Sequence, residues 1–386
     1  YNRADLLSMR GVAFEVAAIT DSKITFDNLD QNDYCWSGKD LSEVGVEVKN
    51  PTLCPTYCIA KIEGLKIEPS RAEWAEKLAN CGMRPVNNAA DVTNLAMLEY
   101  DQPMHAFDAK KVKGAISVRV AKKGEKILTL DGKVRNLNKE DLLIADDAGP
   151  IGIAGVMGGK DSEVSQNSTA ILLEAAIFDP VTNRQTSKRH GLPSEASKRF
   201  QHGLTRTNLL QALSAAIKMY EGLGGKLTAI TFTGSLKDES KVVKLTQEKI
   251  NSLIGIAIPP EEVESSLKKL GFSLASQGQA LRAWEVTVPY WRMDINIEED
   301  LIEEVARMYG YEKIPPRELE GEFPAKVDQS FPEFIYGLKK ALSNAGLTEV
   351  QTYSFYSSKV ISNFKFPTAD LVRIANPISS ETEYLR

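Results

Sequence analysis

The spacing of apolar residues changes several times along the chain, and each change predicts a new element. Residues 1–20 carry apolar side chains at helical spacing, whereas residues 56–68 alternate as in a strand. A helix is predicted within 70–82, with a capping box in which Ser70 and Glu73 each bond the other's backbone and with its end at Gly82. A second helix is predicted over 91–100.

From about residue 115 the period shifts to two. The stretch "AISVRVA" alternates, Asp131-Gly132 is a strong hairpin signal, and "DLLIA" and "TAILLEAAIF" are predicted strands flanking a glycine-rich stretch. A long helix is predicted over 207–221, ending at Gly222. Strands bracketed by helices indicate an α+β domain from about residue 50 to 232.

A second, smaller unit is predicted over 233–316. Two short helices, in "KVVKLTQEKINSLIG" and "PPEEVESSLKKLGF", precede the strand "AWEVTVPY" and an acidic helix that ends at Gly310. This order predicts a winged-helix-like module. Beyond it, "FIYGLKKALSNAGL" is predicted as a helix and "EVQTYSF" as a strand, at the start of a further domain over 317–386. The fold class is therefore α+β, with several domains.

Length and composition agree with this organisation. A chain of 386 residues is expected to hold two to four domains, and 42% hydrophobic with 26% charged residues is typical of a globular protein. No apolar run approaches the roughly 20 residues that cross a bilayer, so we expect no membrane span. The chain opens on Tyr1 and stops inside a patterned segment, so we expect a piece of a longer protein.

The four cysteines do not form a recognisable metal motif. Only Cys54 and Cys58 are close together, and no second cysteine or histidine pair completes a zinc site. Ordinary reduced thiols are expected, which fits a cytoplasmic location.

Charge is unevenly distributed. The net charge of −5 gives no indication of nucleic-acid binding, yet residues 182–206 contain six basic residues and one acid. Such a basic segment fits a phosphate-binding surface or simply a solvated loop, and charge leaves both open.

The glycine-rich stretch "GPIGIAGVMGGKD" matches no common nucleotide-binding motif. Ala154 and Asp161 stand where a phosphate loop needs glycine and a hydroxyl residue, and Pro150 excludes a dinucleotide fingerprint. A backbone that approaches a ligand closely, or a tight turn, remains.

Residues 84–108, "RPVNNAADVTNLAMLEYDQPMHAFD", concentrate polar side chains among apolar ones. Asp91, Thr93 and Asn94 are poor helix formers, which suggests that their side chains have other roles. On chemistry alone, the nearby His105 is more often a structural histidine than a catalyst.

Glu174, inside the apolar strand "AILLEAAI", needs a partner if it is buried. A salt bridge is the simpler partner, and a polar group on a substrate is the alternative.

The stretch "DINIEEDLIEE" carries six carboxylates in eleven residues. A helix that begins near Glu298 explains the acids of its first turn through the helix dipole. Asp300, Glu303 and Glu304 would share one face, and Asp294 adds a fourth oxygen donor, a set that suits Mg²⁺. A metal ion, a partner protein and plain solvent remain three alternatives.

Several long motifs occur together in one order: "RPVNNAADVTNLAMLEYDQPMHAFD", "GIAGVMGG", "LLEAAIFDP", "SEASKRF" and "VPYWRMDINIEEDLIEEVARMYGYEKIPP". In these motifs the chain resembles the bacterial phenylalanyl-tRNA synthetase beta-subunit family over essentially its whole length. Residues 1–49 resemble a remnant of an N-terminal α/β domain that follows the family's tRNA-binding OB domain.

The resemblance implies that residues 50–232 are an editing domain that hydrolyses tyrosine wrongly esterified to tRNA(Phe). It implies that Glu174 recognises the tyrosine hydroxyl. The implied catalytic residues are His105, Asn94 and Thr93, and the other implied substrate-binding residues are Arg84, Gly158, Ser194 and Ala196. The implied Mg²⁺ ligands are Asp294, Asp300, Glu303 and Glu304.

The resemblance also implies partners and leaves an alternative. An alpha subunit would carry aminoacylation and use ATP, in a heterotetramer of two alpha and two beta subunits that binds tRNA(Phe). The alternative is a non-catalytic scaffold for tRNA binding and assembly. Two departures from the family's pattern are Gln201-His202-Gly203, where Glu-Arg-Gly is usual, and Ser194, where threonine is common.

Overall fold

The structure is a computed structural model. It describes residues 3–26, 34–276, 283–316, 318, 321, 327–364, 367 and 371–385. The chain separates into two compact units, Tyr1–Pro315 and Pro316–Arg386.

The helices are α1 (Met9–Thr20), α2 (Ala72–Asn80), α3 (Asn88–Tyr100), α4 (Pro180–His190), α5 (Glu195–Phe200), α6 (Arg206–Glu221), α7 (Gln247–Ile254), α8 (Pro260–Lys269), α9 (Glu298–Tyr309), α10 (Ser330–Asn344) and α11 (Ser358–Asn363). The strands are β1 (Val46–Val48), β2 (Thr56–Glu63), β3 (Met104–Asp108), β4 (Ile116–Val120), β5 (Lys126–Leu128), β6 (Val134–Asn136), β7 (Leu142–Ala145), β8 (Pro150–Ile153), β9 (Met157–Gly158), β10 (Ala170–Ile177), β11 (Lys226–Gly234), β12 (Lys241–Thr246), β13 (Ser273–Ser276), β14 (Ala283–Val288), β15 (Phe355–Tyr356) and β16 (Tyr384–Leu385). Short 3-10 helices lie at Asp5–Leu7 and Tyr311–Lys313.

A four-stranded antiparallel sheet lies at the centre of the first unit, in the order β11-β2-β10-β3. Helix α6 packs against β2, β10 and β11, and residues of a second sheet join the same apolar core. All eight residues of β10 are therefore buried. A strand covered on both faces is apolar nearly throughout, which makes the carboxyl group of Glu174 exceptional.

The second sheet has the order β1-β4-β7-β8-β9, with β1 parallel to β4 and the other pairs antiparallel. Its last two strands form a hairpin from the glycine-rich stretch. The hairpin predicted at Asp131-Gly132 is confirmed, because β5 and β6 pair around it and Gly132 has a φ of +76°. The α+β fold class is confirmed by these sheets and their covering helices.

The elements predicted for the small module are present. A three-stranded sheet, β12-β14-β13, packs with α7, α8 and α9 around one apolar cluster. Pro260 occupies the first turn of α8, where its missing N–H is not needed. The acidic helix α9 begins at Glu298, as predicted, and Gly310 follows its last residue.

Helix α1 connects parts of the first unit that are distant in sequence. It packs against both α3 and α8. Ser8 caps it by accepting a hydrogen bond from the Gly11 N–H at 3.0 Å, and the guanidinium of Arg10 donates to Gln211 of α6 at 2.8 Å.

The capping box predicted between Ser70 and Glu73 is wrong. Helix α2 begins at Ala72 without a side-chain cap. The Ser70 hydroxyl instead donates to the carboxylate of Asp91 at 2.6 Å, and Glu73 pairs with Lys77 at 2.7 Å, one turn along. A tertiary partner for Ser70 has replaced the local one.

Two other elements differ from the sequence pattern. Helix α3 begins at Asn88, three residues before the predicted start, because the Asn87 side chain accepts from two backbone N–H groups of its first turn. Most of the basic segment 182–206 is helical, in α4 and α5.

The second unit contains α10, α11 and the short pair β15-β16. The predicted helix is confirmed but begins earlier, at Ser330. The strand predicted from "EVQTYSF" is wrong over most of its length, since residues 349–354 have no regular secondary structure.

Candidate functional site

A cavity of about 210 Å³ lies between the two large sheets of the first unit. Most of its walls are apolar. Its lining residues are Pro103, Met104, His105, Phe107, Leu130, Ile144, Gly152, Ile153, Ala154, Gly155, Val156, Met157, Gly158, Glu174, Phe178, Ala196 and Phe200. Four of the predicted site residues therefore line one cavity: His105, Gly158, Glu174 and Ala196.

Two polar side chains are brought together by strand register. Residue 105 of β3 is the direct cross-strand partner of residue 174 of β10. Directly opposed side chains point to the same side of a sheet and have Cβ atoms about 4.5–5.5 Å apart. His105 and Glu174 are thus neighbours on one wall of the cavity, although 69 residues separate them in the sequence.

Glu174 is 7% exposed and forms no hydrogen bond or ion pair with the described residues. Burial raises the pKa of its carboxyl group to about 8, because an apolar environment disfavours the ionised form. The salt bridge that the sequence favoured as the simpler partner is therefore not formed with any residue that the structure describes. At neutral pH the group is largely protonated, so it can both donate and accept a hydrogen bond.

His105 is neutral at physiological pH. Burial lowers the pKa of its imidazole to about 4, against a smaller opposing effect of Glu163. Its Nε2 atom is buried and has no hydrogen-bond partner among the described residues, and its ring meets Phe107 edge-on, with centroids 4.6 Å apart. A neutral imidazole in this position is available to a water molecule or a ligand.

The β8–β9 hairpin forms the opposite wall and approaches His105 closely. A Cβ atom on Gly158 would lie 2.6 Å from both Cε1 and Nε2 of His105. At the turn, Gly155 has a φ of +66°, and a Cβ there would lie 2.7 Å from the ring of Phe200. The glycine-rich stretch therefore lets backbone approach side chains that line the cavity, in line with one of the two expectations from the sequence.

Helix α5 closes one side of the cavity through Ala196 and Phe200. Ser194 does not line the cavity but caps this helix, since its oxygen accepts from the Ser197 N–H at 3.0 Å. The same hydroxyl donates to the Val156 carbonyl at 2.9 Å. Ser194 thereby ties α5 to the turn between β8 and β9.

Three other predicted site residues are not among those that line the cavity: Arg84, Thr93 and Asn94. The Thr93 hydroxyl is buried in α3 and donates to the Ala90 carbonyl at 2.7 Å. Arg84 is exposed in the loop before that helix. Their proposed roles depend on a ligand that extends beyond the cavity.

The apolar walls were not singled out from the sequence. Leu130 comes from the turn between β5 and β6. Phe178 directly follows β10, and Phe200 is the last residue of α5. An apolar residue in a loop or at a helix end carries the same sequence signal whether it fills a core or lines a cavity, so only the fold separates the two.

The basic segment 182–206 is largely paired with acids. Arg189 contacts both Glu140 and Asp141, and Arg199 contacts Asp101 at 3.2 Å and Glu195 at 2.9 Å. Of its six basic residues, Arg184 and Lys188 are exposed and form no ion pair with described residues. Most of this charge therefore serves tertiary structure rather than a free phosphate surface.

Two arginines, one before and one after the stretch "DINIEEDLIEE", compensate the negative charge of the acidic cluster at α9. The buried guanidinium of Arg292 contacts Asp294 at 2.7 Å and Glu304 at 2.7 Å. Arg307 also contacts Glu304, at 2.8 Å. Although burial raises the pKa of Glu304, hydrogen bonds from the two arginines hold it at about 2.

The four predicted Mg²⁺ ligands do not converge. Asp300 accepts hydrogen bonds from the backbone N–H groups of Asn296 and Ile297, at 2.7 and 3.0 Å, and caps the helix. Glu303 is exposed. Within the described ranges, no three His, Cys, Asp or Glu side chains are arranged to hold a metal ion. The guanidinium of Arg292 already compensates the charges of Asp294 and Glu304, so these side chains do not fit a Mg²⁺ site. The metal site stays a prediction.

Two further findings bear on the environment of the chain. All four cysteines are free thiols. Across the described residues, no helix combines the length and apolarity that a membrane span requires.

Comparison with known families assigns three consecutive regions. Residues 53–225 match the B3/4 domain, residues 243–311 match the tRNA synthetase B5 domain, and residues 314–386 match the phenylalanyl tRNA synthetase beta chain CLM domain. The cavity, with His105 and Glu174, lies in the first of these regions. The acidic helix α9 lies in the second.

Curated relatives agree with these matches. The phenylalanine–tRNA ligase beta subunit of Moorella thermoacetica is 39% identical over 397 residues, and that of Latilactobacillus sakei is 35% identical over 391. Each alignment covers 100% of this chain and 48% of the relative, so the chain spans about half the length of the curated relatives it matches. The chain belongs to the phenylalanyl-tRNA synthetase beta-subunit family.

Proposed function

We propose that the B3/4 region is an editing esterase, which hydrolyses tyrosine wrongly attached to tRNA(Phe). The observation that carries the proposal is the carboxyl group of Glu174. It is buried, faces an apolar cavity and has no polar partner among the described residues. A buried polar group without a partner costs about 1–3 kcal/mol. The hydroxyl of a tyrosine side chain in this cavity supplies the missing partner.

The same group explains why tyrosine would be selected over phenylalanine. An apolar synthetic pocket rejects an added hydroxyl only weakly, whereas a site built to bond that hydroxyl discriminates strongly. Phenylalanine in this cavity would leave the Glu174 carboxyl unpaired. A volume of about 210 Å³ lies below the ~300–1,000 Å³ of typical small-molecule sites and suits one amino-acid side chain.

The chemistry that we propose is hydrolysis by a positioned water molecule. Water adds to the ester carbonyl, the bond to the terminal ribose oxygen breaks, and tyrosine and tRNA are released. His105 is neutral, and its Nε2 atom has no hydrogen-bond partner among the residues that the structure describes. It orients the water or the ester carbonyl from beside Glu174. Orientation of reactants and fixed hydrogen-bond donors lower the barrier without a covalent intermediate.

Residues around the cavity would bind the rest of the substrate. We propose that Thr93, Asn94 and Arg84 contact the ester or terminal adenosine beyond the cavity, while Gly158 and Ala196 line the side-chain pocket. Ser194 contributes by holding α5 against the β8–β9 turn.

The wider assembly is also proposed. Residues 50–232 are the editing domain, 233–316 the winged-helix-like module and 317–386 the start of a catalytic-like domain, with 1–49 a remnant of the preceding domain. The family matches support this order. The partners are an alpha subunit, which uses ATP for aminoacylation in an assembly of two alpha and two beta subunits, and tRNA(Phe). A cytoplasmic location is supported by the free thiols.

Deacylation assays test the proposal. The chain, with whatever subunit its tRNA binding requires, is incubated with tyrosyl-tRNA(Phe), and tyrosine release is measured for wild type, Glu174→Ala and His105→Ala. Glu76→Ala, at an exposed position of α2, is the matched control. We expect loss of release in the first two variants only. Wild-type release no faster than spontaneous hydrolysis would favour the non-catalytic scaffold.

A further inference from the structure

A second polar side chain lies on the same face of the central sheet as Glu174. Tyr57 of β2 pairs directly with Ala176 of β10, two residues along from Glu174. Residues two apart in a strand share a face, so Tyr57 and Glu174 are diagonal neighbours, within reach of an aromatic and a long side chain. Ala176, between them on that face, contributes only a methyl group.

The hydroxyl of Tyr57 is buried and unsatisfied. The residue is 0% exposed, and its hydroxyl oxygen has no hydrogen-bond partner in the part of the chain that the structure describes. Tyr220, equally buried in the same apolar core, donates its hydroxyl hydrogen to the Ala89 carbonyl at 2.6 Å. A buried hydroxyl without a partner is unusual in a native structure and calls for an explanation. Tyr57 and Glu174 are therefore two neighbouring buried residues whose polar groups form no hydrogen bond with the described residues.

Electrostatic effects are consistent with this proximity. Burial, and after it the negative charge of Glu174, raises the pKa of the Tyr57 hydroxyl, which therefore keeps its proton. Burial and then Glu174 also raise the pKa of the Cys54 thiol, which donates to the Thr56 carbonyl at 3.5 Å. His105, across from Glu174, is neutral. Glu174 is therefore the group in this cluster that changes charge near neutral pH.

We propose that Tyr57 is a positioning residue for Glu174: its hydroxyl donates a hydrogen bond to the Glu174 carboxylate when a substrate phenol occupies the cavity. The inference rests on the proposed editing function and adds a residue to its specificity. Rotation of the flexible Glu174 side chain brings one oxygen to Tyr57 and the other to the substrate.

This arrangement gives Tyr57 a measurable effect on Glu174. Two donors to one carboxylate favour its ionised form and lower its pKa, because hydrogen bonds to the charged form stabilise it. Without the Tyr57 hydroxyl the carboxyl group keeps its proton to higher pH and binds the phenol less well. The scissile ester lies at the other end of the amino acid, so the chemical step is not affected directly.

Tyr57→Phe removes only the hydroxyl and retains the buried ring. We expect KM for tyrosyl-tRNA(Phe) to rise about 10-fold, as for loss of one hydrogen bond to a charged group. The turnover number should stay within about twofold. The pH at which KM changes should shift upward, because this hydrogen bond forms only in the complex with substrate. Tyr220→Phe is the matched control, which removes a bonded hydroxyl elsewhere in the core and should leave KM and the pH profile unchanged.

The outcomes separate the two proposals. If Glu174→Ala abolishes tyrosine release while Tyr57→Phe leaves KM and the pH profile as in wild type, the role of Tyr57 is refuted and the editing function stands. If Glu174→Ala releases tyrosine at the wild-type rate, the proposed function itself fails. Thermal unfolding of Tyr57→Phe provides a folding check, and the loss of an unpaired buried hydroxyl should not lower its stability.

Discussion

His105 and Glu174 stand directly opposite each other on β3 and β10, and both side chains line the same apolar cavity. Burial moves their pKa values in opposite directions, to about 4 for the imidazole and about 8 for the carboxyl group. Both groups are therefore largely neutral at pH 7 and do not form an ion pair. Each remains free to bond a ligand, which is the basis of the proposed specificity.

The raised pKa of Glu174 predicts a pH-dependent stability. Between about pH 4.5 and 8 the folded state keeps a proton that the unfolded state has lost, so stability falls as pH rises through this window. The slope from this one group is at most about 1.4 kcal/mol per pH unit. Glu174→Gln should remove that decline. Urea unfolding at several pH values measures it, and an identical slope in the variant would refute the burial effect.

The lowered pKa of His105 predicts the opposite trend in acid. From about pH 6.5 down to 4 the unfolded state binds a proton that the folded state does not, so stability falls as pH falls. His105→Gln should be less sensitive over this range, and it should lose tyrosine release about 10²-fold or more. Unfolding midpoints at pH 4.5 and 6.5 test the first expectation, with the half-buried His202 replaced by glutamine as the comparison.

The close approach of Gly158 to His105 predicts a strong effect of one methyl group. Gly158→Ala places a Cβ 2.6 Å from the imidazole, so the ring must move. Because a displacement of about 1 Å can cost 10²-fold in rate, we expect tyrosine release to fall by about that factor. In Gly337→Ala the new Cβ meets no atom within 4 Å; this control should retain full activity. Full activity in Gly158→Ala would contradict the proposed role of His105 in tyrosine release.

The ion cluster of α9 predicts a large stability change. Arg292→Met leaves the carboxylates of Asp294 and Glu304 without their shared cation, which should cost about 3–5 kcal/mol. Arg184→Met, at an exposed arginine of α4, should change stability by less than about 0.5 kcal/mol. Chemical denaturation measures both.

Titration with Mg²⁺ tests the predicted metal site. With Arg292 in place, we expect Mg²⁺ to give no binding heat and no rise in the unfolding temperature. A Mg²⁺ heat that disappears in Asp300→Asn would contradict this expectation and restore the ligand set taken from the resemblance.

Local sequence signals predicted most elements because periodicity and turn chemistry act over short distances. The hairpin at Asp131-Gly132 and the start of α9 at Glu298 follow this rule. Ser70 shows where the rule fails: its best partner, Asp91, lies 21 residues away. The cations that pair with the acidic stretch also lie outside the local pattern. Arg292 precedes the stretch and Arg307 follows it by one helical turn.

The cavity is a tertiary property that local patterns do not contain. Glu174 stands out in the sequence because a carboxyl group is rare in an apolar strand, but its position opposite His105 is visible only once β3 and β10 are paired. The resemblance selected His105, Gly158 and Ala196, whereas the apolar walls at Phe178 and Phe200 carried no distinctive signal. Nothing in the sequence marks Tyr57, because a buried hydroxyl without a hydrogen-bond partner can be recognised only in the folded structure.

The most direct measurement is the ratio of deacylation rates for tyrosyl-tRNA(Phe) and phenylalanyl-tRNA(Phe), in wild type and in Glu174→Ala. The account predicts that wild type hydrolyses the tyrosyl ester at least about 10²-fold faster, and that Glu174→Ala brings this ratio close to one. A Glu174→Ala variant that keeps the wild-type preference would contradict the claim that this carboxyl group recognises the tyrosine hydroxyl.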